Sequence, residues 1–205
     1  MGNAHMMNAN EWAESPSVDA DFVTSVFDGP AVELADMLDA REYRAQVQRD
    51  LLAEALPGEA LFSATLSIPG PHKTSAVLEQ AFNALVEAVE SELNGAPTRA
   101  RTRLSGAPGP ELLMLIAMPA LELKRHAIDV EESHPLGRLA DFDVVELTDG
   151  MPRPVSRTEL GFPPRRCLIC GGEAKACARS RAHTVQEMQV TIAEIIRQGG
   201  YCNNG

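Results

Sequence analysis

The chain switches repeatedly between two apolar spacings, one typical of helices and one typical of strands. Helical spacing has apolar residues three to four positions apart, whereas strand segments alternate or run together. Helices are predicted at 31–56, 74–94, 120–132 and 184–197, and strands at 60–68, 111–118, 139–147 and 153–158. Because these elements form no regular strand–helix–strand repeat, their order favours an α+β fold, with helices packed on a mixed four-stranded sheet. A Cys/His-rich appendage and a terminal helix complete the predicted fold.

The apolar content of the chain suits one hydrophobic core. Of the 205 residues, 44% are hydrophobic, which is enough for a single domain. We predict a domain at 31–205 that includes a Cys-rich appendage at 160–205. Residues 1–30 are interpreted as a poorly ordered extension, which opens with MGNAHM, a sequence typical of a cloning remnant.

Hydropathy, cysteine placement and charge argue against several classes of protein. No segment approaches the roughly 18 apolar residues that span a bilayer, and no signal peptide opens the chain, so we expect no membrane association. Three of the four cysteines lie within eleven residues, unlike a secreted disulfide framework, which favours a cytoplasmic location. The net charge of −11 argues against a nucleic-acid partner.

One segment reverses the acidic balance of the chain. Residues 151–183 contain seven basic residues and two acidic ones. A local basic cluster on an acidic protein indicates a specific polyanion, such as a phosphorylated small molecule. A solvated, charge-rich surface loop is the alternative interpretation.

The loop IPGPHKTS, residues 68–75, lies between a predicted strand and a predicted helix. Backbone N–H groups at the start of a helix favour an anion, and Lys73 would add a positive charge. The loop is not a Walker A motif, because that motif needs glycine where this chain has Ser67 and His72. A rigid turn formed by two prolines around a glycine is the alternative.

The strand predicted at 139–147 carries Asp141 and Asp143. Side chains two positions apart on a strand leave it on the same side, roughly 7 Å from each other, so these like charges repel unless a positive charge lies between them. Paired carboxylates suit Mg²⁺ bound to phosphate oxygens, and Arg138, just upstream, would contact another phosphate oxygen. The alternative is an exposed edge strand on which both aspartates face water.

The segment CLICGGEAKACARSRAH places Cys167 and Cys170 at the C-x₂-C spacing, followed by Cys177 and His183. Three thiolates and one imidazole form a closed tetrahedral ligand set that suits structural Zn²⁺. Unligated thiols in a reducing compartment and a redox-active Cys-x-x-Cys pair are the alternatives.

Several common catalytic and cofactor-binding motifs, including the serine nucleophile motif, are missing from the sequence. There is no G-x-S-x-G, no H-E-x-x-H and no G-x-G-x-x-G. If the chain is an enzyme, we therefore expect it to act on a nucleophile that belongs to its substrate.

Three sequence blocks together resemble one protein family. The blocks are SATLSIPGPHKTSAVLEQAF, LKRHAIDVEESHPLGRLADFDV and VSRTELGFPPRRCLICGGEAKACARSRAHT. They are similar to the apo-citrate lyase phosphoribosyl-dephospho-CoA transferases, also called citrate lyase holo-[acyl-carrier-protein] synthases. The resemblance runs from about residue 40 to residue 198. The chain departs from it at Ala140, where a bulkier residue is expected, and in the unmatched N-terminal 30 residues.

The resemblance implies a specific reaction. A transferase of this family takes 2′-(5″-triphosphoribosyl)-3′-dephospho-CoA and joins its phosphoribosyl-dephospho-CoA group to a serine on the acyl carrier protein (gamma) subunit of citrate lyase, releasing pyrophosphate. The missing nucleophile is then expected, because the partner supplies it. Two alternatives stay open, namely the same transfer to the carrier protein of malonate decarboxylase, and a non-catalytic zinc-containing module that binds a carrier protein.

In this reaction the candidate residues take defined roles. Asp141 and Asp143 would hold Mg²⁺ against the donor triphosphate, and one of them would also accept the serine proton. His134 is a second candidate proton carrier, although a histidine before a proline also commonly caps a helix. The residues expected to bind phosphates or the dephospho-CoA group are Lys73, Arg138, Arg157, Arg165 and Arg166.

Overall fold

The computed structural model describes residues 18–201, and the α+β class is confirmed. Its helices are α1 (Ala20–Val26), α2 (Leu34–Ala53), α3 (Ala76–Glu92), α4 (Ala120–Ser133), α5 (Ala174–Ser180) and α6 (Val185–Gln198). Its strands are β1 (Ala60–Leu66), β2 (Thr98–Leu104), β3 (Glu111–Ile116), β4 (Ala140–Thr148) and β5 (Met151–Pro154). Short 3₁₀ turns at Gly137–Leu139 and Arg157–Leu160 flank the last two strands.

The sheet has five strands in the order β2-β3-β1-β4-β5, and every pair of neighbours is antiparallel. The prediction of a mixed four-stranded sheet is therefore wrong in these two details. The helical connections α3 and α4 each join strands that run the same way, but a third strand lies between those strands in the sheet. Two such split strand–helix–strand units give an antiparallel sheet. Strand periodicity alone does not show this insertion.

The strand that the sequence analysis missed is β2. Its sequence, TRARTRL, has arginines where a half-buried strand usually has large apolar residues. These arginines are held by ion pairs with carboxylates of other elements, as between Arg101 and Glu90 and between Arg103 and Glu79. The strand lies at the edge of the sheet, where charged side chains are common.

One face of the sheet forms the main core with α3, α4 and α6. Phe62 of β1 and Phe142 of β4 pack against each other on this face, with their ring centroids 5.2 Å apart. The opposite face is covered in part by α2, which buries Leu52 against Leu61 and Leu113. The sheet therefore has a fully covered face and a face on which polar side chains are accessible beside α2.

The two ends of the described chain also join the core. Helix α1 begins at the Asp19 cap and buries Val26 completely against neighbouring helices. Residues 18–30 are therefore not a poorly ordered extension, and residues 1–17 lie outside the described part. At the other end, α6 buries Ile192 and Ile196, so the appendage predicted at 160–205 contributes its helix to the main core. The division into domains otherwise stays a prediction.

Gly137 makes the sharp connection between α4 and β4. A Cβ atom at this position would lie 2.4 Å from the carbonyl oxygen of Glu131, so only glycine lets the chain pass so close to the last turn of α4. This close approach fixes where β4 begins relative to α4. Among residues 18–201, no helix combines the length and the apolar character that crossing a membrane requires.

Candidate functional site

The two aspartates of β4 lie on the sheet face that α2 covers only in part. Phe142 between them is buried under the helices of the other face, so strand alternation directs Asp141 and Asp143 away from the main core. Both side chains are exposed. Thr65 lies across from Asp141 and Ser63 across from Asp143 in the β1–β4 pair. Strand β5 pairs with β4 only at residues 145–148, so at the aspartates β4 has no strand neighbour among the described residues on the side away from β1.

The carboxylates of Asp141 and Asp143 repel each other in the folded protein. Desolvation by the surrounding protein, together with the charge of Asp141, raises the pKa of Asp143, and Lys124, Arg165 and Arg44 offset this only in part. Arg165 lies against the pair, with a guanidinium nitrogen 3.4 Å from an Asp141 oxygen. A divalent cation between the carboxylates would relieve the remaining repulsion. The donor set of two carboxylates beside a polar cavity fits Mg²⁺.

A cavity of about 200 Å³ opens beside Asp141. Three cations line it, Lys73 from the predicted anion loop and Arg41 and Arg44 from α2. Glu111 of β3 also lines the cavity and accepts two hydrogen bonds from Arg44, one of them 2.5 Å long. The structure thus brings Lys73 and Asp141 to one cavity, which combines positive charge for an anion with carboxylates for a cation.

The sequence analysis missed the α2 contribution to this cavity. Apolar spacing predicts a helix at 31–56 but assigns no functional role to its residues. Arg41 and Arg44 are three residues apart, a spacing that places both on one helix face, and this was the available signal. Hydrogen bonds to Glu111 raise the pKa of Arg44, and the charges of the two aspartates add to this effect. Burial and the charge of Arg41 lower the pKa of Lys73.

A second, larger cavity of about 780 Å³ adjoins the first. The two share Pro108, Gly109 and Glu111 in their walls, and the larger one extends between α2 and the loop before β3. Tyr43 and Arg103 also line it. Its volume lies in the range of pockets that hold nucleotide-sized ligands. The small cationic cavity therefore opens beside space for a much larger group.

The loop at 68–75 is both a rigid turn and a source of positive charge. Ser75 caps α3 by accepting a hydrogen bond from the Leu78 N–H, and its hydroxyl donates to the carbonyl of Val26. A backbone N–H group at the N-terminus of α3 is thus already bonded to the Ser75 side chain. Lys73 donates to the carbonyl of Ile68 while its side chain lines the cavity. A phosphate would therefore meet Lys73 rather than the end of the helix.

Two arginines of the basic segment converge on α4. Arg165 lies 3.1 Å from an oxygen of buried Glu131, in addition to its contact with Asp141. Arg157 forms ion pairs with Glu131, at 3.6 Å, and with Glu132, and its side chain is 15% exposed. A role for Arg157 in binding substrate stays a prediction, because protein carboxylates already occupy much of its guanidinium.

The other two arginines lie beside the cysteine-rich loop. Arg138 donates a hydrogen bond of 2.9 Å to the carbonyl of Cys167, and burial lowers its pKa. Arg166 is exposed and forms an isolated backbone bridge with Glu173. Neither Arg138 nor Arg166 is among the described residues that line the small cavity. Their predicted phosphate contacts are untested.

His134 caps the C-terminal end of α4. Its Nδ1 accepts a hydrogen bond from the Leu136 N–H, and burial lowers its pKa, so the neutral ring is favoured. Of the described residues, those around the cavity beside Asp141 do not include His134. The geometry favours the helix-cap interpretation, and a catalytic role for His134 stays a prediction.

The three predicted cysteine ligands and His183 form one compact cluster. The sulfur atoms of Cys167, Cys170 and Cys177 and a ring nitrogen of His183 all lie within 4.8 Å of one another. The sulfur atoms of Cys170 and Cys177 lie 3.5 Å apart. Residues far apart in the segment are therefore held at a separation that a tetrahedral metal ion would bridge.

The chemistry of this cluster fits a bound metal. The Nε2 atom of His183 is buried without a hydrogen-bond partner among the described residues. Burial raises the pKa of the Cys167 thiol, but hydrogen bonds from the backbone N–H groups of Cys170 and Ile169 and from the side chains of Cys170 and Cys177 together outweigh it and bring the value to about 7. A thiolate is thus stabilised beside an imidazole nitrogen that lacks a partner, and a metal ion would satisfy both.

Comparison with known proteins gives a consistent result. The family described as "Apo-citrate lyase phosphoribosyl-dephospho-CoA transferase" matches residues 32–199. A protein of Streptococcus pyogenes serotype M18, "Probable apo-citrate lyase phosphoribosyl-dephospho-CoA transferase", is 44% identical over 170 residues, which cover 83% of this chain and 88% of that protein. The Escherichia coli (strain SMS-3-5 / SECEC) protein named "Apo-citrate lyase phosphoribosyl-dephospho-CoA transferase" is 34% identical over 175 residues, covering 84% and 93%. The matched region contains both the aspartate pair and the Cys/His cluster.

Proposed function

The chain belongs to the family of apo-citrate lyase phosphoribosyl-dephospho-CoA transferases, and on this premise we propose the reaction that it catalyses. The prosthetic group passes from 2′-(5″-triphosphoribosyl)-3′-dephospho-CoA to a serine of the citrate lyase acyl carrier subunit, and pyrophosphate leaves. The observation that carries the proposal is the cavity beside Asp141, where one carboxylate of the aspartate pair meets three cations. This combination suits a triphosphate that binds together with a divalent cation.

The proposed transfer replaces one phosphorus–oxygen bond with another. The serine oxygen attacks the phosphorus atom bonded to the ribose 5″ oxygen, the bond from that phosphorus to the pyrophosphate oxygen breaks, and a phosphodiester forms. The serine proton passes to a carboxylate of the pair. Asp141 and Asp143 would hold Mg²⁺, which neutralises charge on the phosphates and on the leaving pyrophosphate. No nucleophile of this chain is required.

Each cation of the cavity has a proposed part in binding the donor. Lys73 and Arg41 would contact the outer phosphates, because their side chains line the cavity beside the aspartates. Arg44 would contact the phosphates while Glu111 holds its guanidinium in place. Arg165 would orient Asp141 from the other side. The larger cavity has the volume to take the dephospho-CoA part of the donor.

Replacing Lys73 tests the donor contact in the cavity. Lys73→Ala should raise the KM for the triphosphate donor about tenfold and lower kcat less, since a ground-state contact with a charged phosphate is lost. Steady-state kinetics at saturating carrier measure both constants. Lys175→Ala, which removes an exposed lysine of the basic segment, is the matched control. An unchanged donor KM would leave the loop at 68–75 as a turn alone.

The transfer itself is tested on purified apo-carrier proteins. Incubation with the donor and Mg²⁺ should add one phosphoribosyl-dephospho-CoA group to the citrate lyase carrier, as intact-protein mass spectrometry would show. A carrier with its acceptor serine replaced by alanine should gain no mass. Modification of the malonate decarboxylase carrier alone would support that alternative, and a protein that binds carrier without modifying it would support the non-catalytic alternative.

We further propose that the Cys/His cluster holds a structural Zn²⁺ ion. Four protein ligands, Cys167, Cys170, Cys177 and His183, leave no open position for water or substrate, so this metal would stabilise the fold rather than take part in the reaction. Within the described part of the chain, Cys167, Cys170 and Cys177 form no disulfide, which suits a reducing compartment, and we therefore propose a cytoplasmic location for the protein.

A further inference from the structure

The strand that carries the aspartates has one edge without a strand partner. Strand β5 pairs only with Val145–Thr148 of β4, and the last backbone bond on this side joins the Val155 N–H to the Val144 carbonyl. Two residues earlier, the N–H and carbonyl groups of Phe142 face the same side. Phe142 is 2% exposed, so these groups need protein partners.

Two charged side chains of α4 provide those partners. An oxygen of Glu131 accepts a hydrogen bond of 3.3 Å from the Phe142 N–H, and the Lys124 ammonium donates one of 2.6 Å to the Phe142 carbonyl. Glu131 and Lys124 are seven residues apart, two helical turns, so they project from one face of α4. Together they hold both polar groups of the residue that separates Asp141 from Asp143.

Both charged side chains are buried. Lys124 is 6% exposed and Glu131 is 7% exposed. Burial lowers the pKa of Lys124 and raises that of Glu131, so each charge is held at a cost. Apolar residues at these positions would avoid this cost. The specific gain from a carboxylate and an ammonium is the pair of hydrogen bonds to the peptide groups of Phe142.

Glu131 also interacts with Asp141 indirectly, through Arg165. Its oxygen lies 3.1 Å from Arg165, and Arg165 lies 3.4 Å from Asp141 and donates to the carbonyl of Ala140. Arg157 approaches Glu131 from the far side, at 3.6 Å. The backbone and one side chain of the aspartate segment are thus both oriented through a single buried carboxylate.

We propose that Glu131 and Lys124 are positioning residues, which set the strand segment around Phe142 so that Asp141 and Asp143 point together at one metal ion. The inference rests on the proposed function, because it takes the aspartate pair as the metal site. It adds that the metal affinity of this site depends on two residues of α4 that touch neither the metal nor the donor.

The test uses variants that keep side-chain volume. Glu131→Gln keeps an oxygen for the Phe142 N–H but removes the charge that holds Arg165, and Lys124→Met removes the donor to the Phe142 carbonyl. Glu122→Gln and Arg125→Met change exposed residues of the same helix and are the matched controls. Binding of Mn²⁺ to each full-length protein alone is measured by electron paramagnetic resonance, and the KM for Mg²⁺ and kcat are measured in the transfer assay.

Both variants should bind Mn²⁺ about tenfold more weakly than wild type, with a matching rise in the KM for Mg²⁺ and a smaller change in kcat, because partners that orient metal ligands typically have effects of this size. The controls should match wild type. A purely structural role would lower the melting temperature and the folded fraction but leave the Mn²⁺ affinity of the folded protein unchanged.

The outcomes distinguish failure of this inference from failure of the proposed function. Wild-type Mn²⁺ affinity in folded Glu131→Gln and Lys124→Met would overturn the inference and leave the aspartate metal site standing. Unfolding of both variants would show that the pair holds the fold, and would also overturn it. Mn²⁺ binding that Asp143→Asn does not change would reject the metal site and the inference together. If both variants bind Mn²⁺ more weakly but the wild-type protein transfers no prosthetic group, the inference stands and the proposed function is rejected.

Discussion

Asp141→Asn and Asp143→Asn proteins should each transfer the prosthetic group about a thousandfold more slowly than wild type. Asparagine keeps the shape of the side chain but removes the charge that a divalent cation needs. Although its transfer rate falls, the Asp143→Asn protein should be at least as stable as wild type. Because desolvation and Asp141 raise the pKa of Asp143, the ionised form is disfavoured in the folded protein, and at neutral pH the asparagine removes this repulsion.

Initial rates of carrier modification at saturating Mg²⁺, together with thermal melting at neutral pH, measure both effects. Asp149→Asn is the matched control, because it makes the same chemical change at the exposed turn that follows β4. The melting temperature of Asp143→Asn should equal or exceed that of wild type, so lost activity will not reflect lost folding. A near wild-type rate in either β4 variant would rule out the aspartate metal site.

Removal of the proposed zinc should have the second largest effect. Cys170→Ser should purify without zinc, whereas wild type carries one ion per chain, and the segment 161–184 should loosen before the sheet unfolds. This segment contacts the start of β4 through Arg165, which donates to Ala140, and it contacts the turn before β4 through the hydrogen bond from Arg138 to Cys167. The variant should therefore also lose most of its transfer activity.

Elemental analysis of protein purified without a metal-affinity step gives the zinc content, and hydrogen exchange of the segment reports its order. The ligands must lose protons to bind metal, so zinc affinity should fall as the pH is lowered. Cys202→Ser removes a cysteine from outside the predicted ligand set and is the matched control. Less than about 0.2 zinc per chain, with the native thiols freely titratable, would reject the zinc site.

Local patterns in the sequence predicted the elements of the fold more reliably than their pairing. Apolar spacing located α3 and α4, which each bury one regular face, and the apolar runs of β1, β3 and β4. The pattern did not reveal β2, whose arginines are held by carboxylates of other elements. The pattern also did not show that the two strands joined by α3, and the two joined by α4, each have a third strand between them in the sheet. Such pairing depends on contacts between distant segments.

The same distinction applies to the candidate site. Strand alternation predicted that Asp141 and Asp143 share a face, and close spacing predicted the Cys/His cluster. Glu131 and Lys124 were missed, because on a single helix they look like ordinary polar positions. Only the fold places them on the open edge of β4.

Charge counting along the chain overstated the free positive charge of the basic segment. Arg157 and Arg165 lie in the segment 151–183, but Glu131, the carboxylate that they share, lies outside it. The excess that the sequence assigned to a polyanionic ligand is therefore partly neutralised within the protein. We propose that positive charge for a ligand comes instead from Arg41 and Arg44 of α2, together with Lys73, which line the cavity beside Asp141.

The most direct measurement is a crystal structure of the protein with Mg²⁺ and the triphosphate donor, in the absence of carrier. We expect a metal ion about 2.1 Å from oxygens of Asp141 and Asp143. We also expect the triphosphate to lie in the cavity lined by Lys73, Arg41 and Arg44. A triphosphate bound elsewhere, for example at the exposed arginines beside the cysteine-rich loop, with no metal at the aspartates, would contradict the account.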